Sequence, residues 1–142
     1  MELETFGAVF TFAIQLEEAS AKFYENAIEL IESDDVKKSF SVLVAETKKR
    51  IKRVVRIRQE FVREAILVHV TDLHKNDYLM ALKPILDMKS HQILENAIKI
   101  EQNIQRFYNE AAVKIGQPDV SRAFKRLAKD NSTRKLKLES LL

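Results

Sequence analysis

Residues 97–112 read AIKIEQNIQRFYNEAA, and residues 13–28 read AIQLEEASAKFYENAI. Both stretches carry Ala-Ile, a glutamate three residues beyond the isoleucine, and Phe-Tyr, at a constant offset of 84 residues from Ala13 to Ala97. An internal repeat outranks other signals, because each copy is expected to fold as the same supersecondary unit. The offset continues without a gap: Asp35 matches Asp119, Val36 Val120, Phe40 Phe124, Leu43 Leu127 and Arg50 Arg134.

Steps of three and four residues keep side chains on one face of a helix. One such stripe runs Phe10, Ala13, Glu17, Ala21, Tyr24, Ala27, Ile31, and a second runs Val36, Phe40, Leu43, Thr47, Arg50, Val54, Ile57, Phe61. A third stripe runs Leu94, Ala97, Glu101, Ile104, Tyr108, Ala111, Ile115, and a fourth runs Val120, Phe124, Leu127, Asn131, Arg134, Leu138, Leu141. Four amphipathic helices follow.

Ser33-Asp34-Asp35 separates the first pair, and Gly116-Gln117-Pro118-Asp119 separates the second with a C-terminal glycine and a proline at the next helix start. Connections this short make each pair an antiparallel hairpin. The hairpins are expected at about 6–62 and 90–141, with a crossover at about 63–89 in which Pro84 interrupts and Asn76-Asp77 suggests the cap of a short helix. A connector of that length can run back along the bundle and set the second and third helices parallel. The expectation is an all-α, ferritin-like four-helix bundle of two repeated hairpins, forming one domain over 1–142.

Composition agrees with helices: 2 Gly, 2 Pro, 46% hydrophobic and 32% charged residues. With no cysteine, disulfides, thiolate metal sites and thiol nucleophiles are excluded. No apolar run approaches the roughly 18 residues of a membrane span, and MELETFGAVF lacks the basic start of a secretory signal, so a cytoplasmic protein is expected. A net charge of +3 does not by itself call for a polyanionic partner. The run KKRIKRVVRIR over Lys48–Arg58 is basic, yet its apolar members and Arg50 fall on the inward stripe. Lys48, Lys49, Lys52, Arg53 and Arg56 are left on the outer side, where Glu25, Glu29 and Glu32 of the neighbouring helix can balance them. No aromatic residue interleaves with this run, and nucleic-acid binding is not expected. His69, His74 and His91 lie in the crossover or near the start of the third helix, off the central layer.

Polar residues interrupt the stripes at one level. Glu17 and Glu101 stand midway along inward faces, and Thr47, Arg50, Asn131 and Arg134 stand at matching inward positions of the partner helices. A buried carboxylate alone is costly and calls for a cation or a proton.

The pattern Ala13-Ile14, Glu17, Phe23-Tyr24, repeated as Ala97-Ile98, Glu101, Phe107-Tyr108, resembles the rubrerythrin branch of the ferritin-like family. In that family the second and fourth helices carry Glu-x-x-His, and the carboxylates and imidazoles bind two iron ions. Here Thr47-Lys48-Lys49-Arg50 and Asn131-Ser132-Thr133-Arg134 stand at those positions. Arginine keeps its proton and offers a metal no lone pair. Sliding the frame by one residue would enlist Glu46 and Asp130, but it turns them about 100° off the inward stripe and leaves Lys49 and Thr133 as partners.

Two glutamates and two arginines neutralise one another without a metal. The expectation is therefore a degenerate di-iron site in which Glu17 and Glu101 pair with Arg50 and Arg134, with Tyr24 and Tyr108 hydrogen-bonded into the same network. No cofactor is expected, and the role would be structural or one of interaction, with a homodimer as the partner envisaged. The alternative is a ferritin-like oxidoreductase reactive toward peroxide or oxygen, holding iron or manganese on Glu17 and Glu101. Without cysteine, the chain has no thiolate iron domain of the kind longer members of the family carry.

Overall fold

The computed structural model describes residues 3–65, 69–78 and 89–142. Four long helices, α1 (Phe6–Ile28), α2 (Asp34–Ala65), α3 (Ser90–Ile115) and α4 (Pro118–Glu139), account for most of it, with a single 3₁₀ turn at Lys75–Asp77. The protein is an all-α four-helix bundle.

Each helix starts or stops where local chemistry satisfies its free backbone groups. The Thr5 hydroxyl accepts from the Ala8 amide at 3.0 Å, and the Ser33 hydroxyl accepts from Val36 at 3.4 Å. Ser33 is thus the residue before α2, while Asp34 and Asp35 lie in its first turn, where negative charge suits the helix dipole. Gly116 closes α3 in the left-handed region at φ 72°, which a side chain would disfavour. Pro118 then occupies the first position of α4, capped by Gln117.

Packing follows the stripes. The α1–α2 and α3–α4 hairpins make the closest helix pairs, α1 and α3 also approach, and α2 and α4 stay further apart. Across the α1–α3 contact, residue 24 meets 101 and residue 17 meets 108, so the two helices run antiparallel. Because α1 and α2 are antiparallel too, α2 and α3 point the same way, the relation that a long crossover produces. The repeat survives in the core: Tyr24 meets Phe40 edge-on at 5.0 Å, and Tyr108 meets Phe124 likewise at 5.2 Å.

The central helices α1 and α3 bury more than their primary stripes. Phe12, Leu16, Phe23, Ile93, Ile100 and Phe107 are also buried. The described part of the crossover accounts for the Phe12 and Phe107 side of this extra burial, for Tyr78 packs against both rings at 6.3 and 5.2 Å. Arg106 lies over the Tyr78 ring, and Asn103 donates to the Tyr78 carbonyl at 2.5 Å. Leu3 and Glu4 bond to Leu73 and Val70, tying the N-terminal segment to the same crossover. Asn76 and Asp77 sit inside the 3₁₀ turn rather than capping a helix, because His74 is the residue that precedes the turn. Pro84 lies outside the described residues.

Candidate functional site: a buried polar layer

The helices bring Glu17 (α1), Thr47 and Arg50 (α2), Glu101 (α3) and Asn131 and Arg134 (α4) to one level of the core. Glu17, Thr47, Glu101 and Asn131 are fully buried, Arg50 is 4% exposed and Arg134 8%. Interior charges of this kind persist only when paired and hydrogen-bonded.

The partners alternate between helices. Within the first hairpin, Arg50 Nε lies 3.4 Å from Glu17 Oε2. Within the second, Arg134 Nη1 lies 3.8 Å from Glu101 Oε1, while Arg134 Nε reaches out of its hairpin to Glu46 on α2 at 3.5 Å. Between hairpins, the tyrosines exchange partners: Tyr24 donates to Glu101 Oε2 at 2.5 Å and Tyr108 donates to Glu17 Oε2 at 2.9 Å. The arginines exchange as well, for Arg50 Nη1 donates to Asn131 Oδ1 at 2.8 Å and Arg134 Nη1 donates to Thr47 Oγ1 at 3.2 Å. Each of these four hydrogen bonds has its counterpart at the repeat-related residues, whereas the Arg134–Glu46 pair does not, since Asp130 pairs with Arg53. Long guanidinium side chains thereby span the wider gap between α2 and α4.

One departure from symmetry has a plain chemical origin. Asn131 accepts from Arg50 through its oxygen and donates to Glu101 Oε1 through its amide at 2.7 Å. Its repeat partner Thr47 has no amide, and Glu17 Oε1 is left buried without a hydrogen-bond partner, as is Arg50 Nη2. The shorter Thr47 side chain accepts from Arg134 through its hydroxyl and makes no bond to Glu17 Oε1.

Burial raises the Glu17 carboxyl above its ordinary value, against the pull of Arg50, Arg134 and the Tyr108 hydroxyl. Burial likewise pushes Tyr24 and Tyr108 well above the usual phenol range, reinforced by Glu101 and Glu17 respectively, so both remain protonated donors. Burial alone would lower the Arg50 guanidinium, but Glu17, Tyr108 and Glu101 raise it overall, and it keeps its charge.

A family model described as Rubrerythrin matches residues 9–141, a span that takes in α2, α3 and α4 and all but the first three residues of α1. The chain belongs to the rubrerythrin family. Neither the curated proteins nor the solved structures yield a significant match.

Rubrerythrin membership raises the question of whether the residues present suit two iron ions. They do not. At the positions of the family's Glu-x-x-His pairs stand two guanidinium groups, a hydroxyl and an amide. The two remaining carboxylates already accept from tyrosine. Among the described residues, no group of three or more His, Asp or Glu is placed to hold a metal. Glu46 and Asp130 lie half-exposed at the rim, each beside an arginine. Glu46 is the member that stripe reasoning left out: it faces away from the core, yet it meets Arg134 from across the α2–α4 gap.

Among the described residues no helix is long and apolar enough to cross a membrane.

Proposed function

We propose that this rubrerythrin-family chain has exchanged its di-iron centre for an internal network of Glu17, Glu101, Arg50, Arg134, Asn131, Thr47, Tyr24 and Tyr108. It then serves as a non-catalytic structural or interaction module. On this reading it is a single domain over 1–142 that works in the cytoplasm without a resident cofactor, as a homodimer. The observation that carries the reading is the position of the arginines: their guanidinium groups lie beside the glutamates, with Arg50 Nε 3.4 Å from Glu17 Oε2. A cation entering this layer would meet two fixed positive charges before it met a free ligand.

A second reading, a metal-binding oxidoreductase reactive toward peroxide or oxygen, draws on one feature, the unpartnered Oε1 of Glu17. That oxygen offers a lone pair, but the other oxygen of the same carboxylate is already bound by Arg50 and Tyr108.

Metal analysis separates the two. Protein purified from cells grown with added iron and manganese should carry neither metal in stoichiometric amount. A variant with Thr47→Glu, Arg50→His, Asn131→Glu and Arg134→His, which restores the family's ligand pattern, should acquire iron under the same conditions. Stoichiometric iron or manganese in the wild-type chain, lost on Glu17→Ala, would establish the oxidoreductase reading instead.

A further inference from the structure

The basic run of α2 divides between two faces. Lys48 turns toward α1 and pairs with Glu25 at 3.3 Å. Lys49, Lys52, Arg53 and Arg56 instead join Arg50, Arg134, Thr133, Glu46 and Asp130 in lining a cleft of about 600 Å³ between α2 and α4. The cleft lies where those two helices stand apart, and repeat-related residues face each other across it: Glu46 and Asp130, Lys49 and Thr133, Arg50 and Arg134. It is distinct from the buried layer and shares with it only the two arginines.

Its charge is far from balanced. Six cations line it against two carboxylates. Arg53 pairs with Asp130 at 3.4 Å and Arg134 with Glu46 at 3.5 Å, while Arg50 is engaged from below by Glu17. Lys49, Lys52 and Arg56 have no ion-pair partner among the described residues. Arg50 also holds a buried Nη2 with no hydrogen-bond partner. Charges of one sign gathered in a recess reinforce one another's field and concentrate counter-ions there. Guanidinium and ammonium groups converging in one place supply the donors that a phosphate's oxygens accept.

We propose that the α2–α4 cleft binds a phosphate group, either free inorganic phosphate or the monoester of a small polar molecule. The volume lies within the range of small-ligand sites. No lining residue is aromatic, which leaves no platform for stacked bases and sets a small phosphorylated ligand above a nucleic acid. The inference does not rest on the absence of iron from the layer below, so phosphate titration and metal analysis can fail independently.

Isothermal titration of the full chain with inorganic phosphate and with glycerol 3-phosphate tests it, alongside a 20-nucleotide single strand of mixed sequence. The double variant Lys49→Gln/Arg56→Gln removes charge from the cleft and leaves the buried layer intact, and Lys125→Gln on α4 serves as a control outside the cleft. One saturable site per chain is expected for at least one of the two phosphates, weakened by roughly tenfold or more in the double variant and unchanged in the control. Tighter binding of the inorganic ion would identify free phosphate as the ligand, and tighter binding of the ester would identify the monoester. No saturation with either phosphate, or equal binding by the double variant, would overturn the site. So would a single strand that binds more tightly than both phosphates, which would make the cleft part of a nucleic-acid surface.

Discussion

The hydroxyl of Tyr108 on α3 reaches across the bundle to Oε2 of Glu17 on α1, 2.9 Å away. Tyr24 on α1 returns the contact to Glu101 on α3. These two bonds join the hairpins at the level where both carry charge, and a buried carboxylate deprived of such a donor bears the full desolvation penalty. Tyr108→Phe and Tyr24→Phe, which keep the ring and its packing, should each lower the unfolding free energy by about 1.5–3 kcal/mol. Urea denaturation with an unchanged m-value is the measurement, and a loss below about 0.5 kcal/mol for both would show that the hydroxyls are not carrying the carboxylates.

The asymmetry between Thr47 and Asn131 can be tested in both directions. Thr47→Asn supplies the amide that Glu17 Oε1 lacks and should stabilise the protein by about 1 kcal/mol. Asn131→Thr removes the bond to Glu101 Oε1 and should destabilise it by about 1–3 kcal/mol. Thermal and urea unfolding of the two variants should move in opposite directions; movement in the same direction would remove the explanation offered for the orphaned oxygen.

Arg50 and Glu17 form the tightest ion pair of the layer. Arg50→Ala should cost about 3–5 kcal/mol, because it strands a buried carboxylate. Combining it with Glu17→Gln should recover part of that cost, so a double-mutant cycle should return a coupling energy above about 1 kcal/mol. Additive losses would mean that burial, rather than pairing, accounts for both effects.

Burial lifts the folded-state value of Glu17 above the ordinary 4.5. A carboxyl raised in this way binds its proton more tightly when folded. Its contribution to stability is therefore fully present below the unfolded value and is lost as pH rises through the folded one. The unfolding free energy of the wild-type chain minus that of Glu17→Gln should accordingly fall as pH increases from about 4.5. Unfolding measured at several pH values between 4.5 and 8 gives the slope, and a difference that grows with pH would show that the Arg50 charge outweighs burial.

Helical periodicity alone determined a good deal. On a regular helix the spacing of residues settles which of them share a face, so the stripes and the repeat were enough to place four helices, two hairpins and one polar layer. Glycine and proline chemistry marked the α3–α4 turn, for Gly116 and Pro118 act through their own backbones. Partner choice was beyond that reach. The crossing of Tyr24 to Glu101 and of Tyr108 to Glu17 depends on the direction in which α1 runs beside α3. The approach of Glu46 to Arg134 depends on the width of the gap between α2 and α4, and the gathering of Lys49, Lys52, Arg53 and Arg56 into a cleft depends on the same gap. Tyr78, in a segment with no stripe, carried no signal that it would pack on Phe12 and Phe107. A residue's face is a property of its own helix and is written in the order of the chain. Its neighbour across the core is a property of two helices and their separation, which only the packed molecule defines.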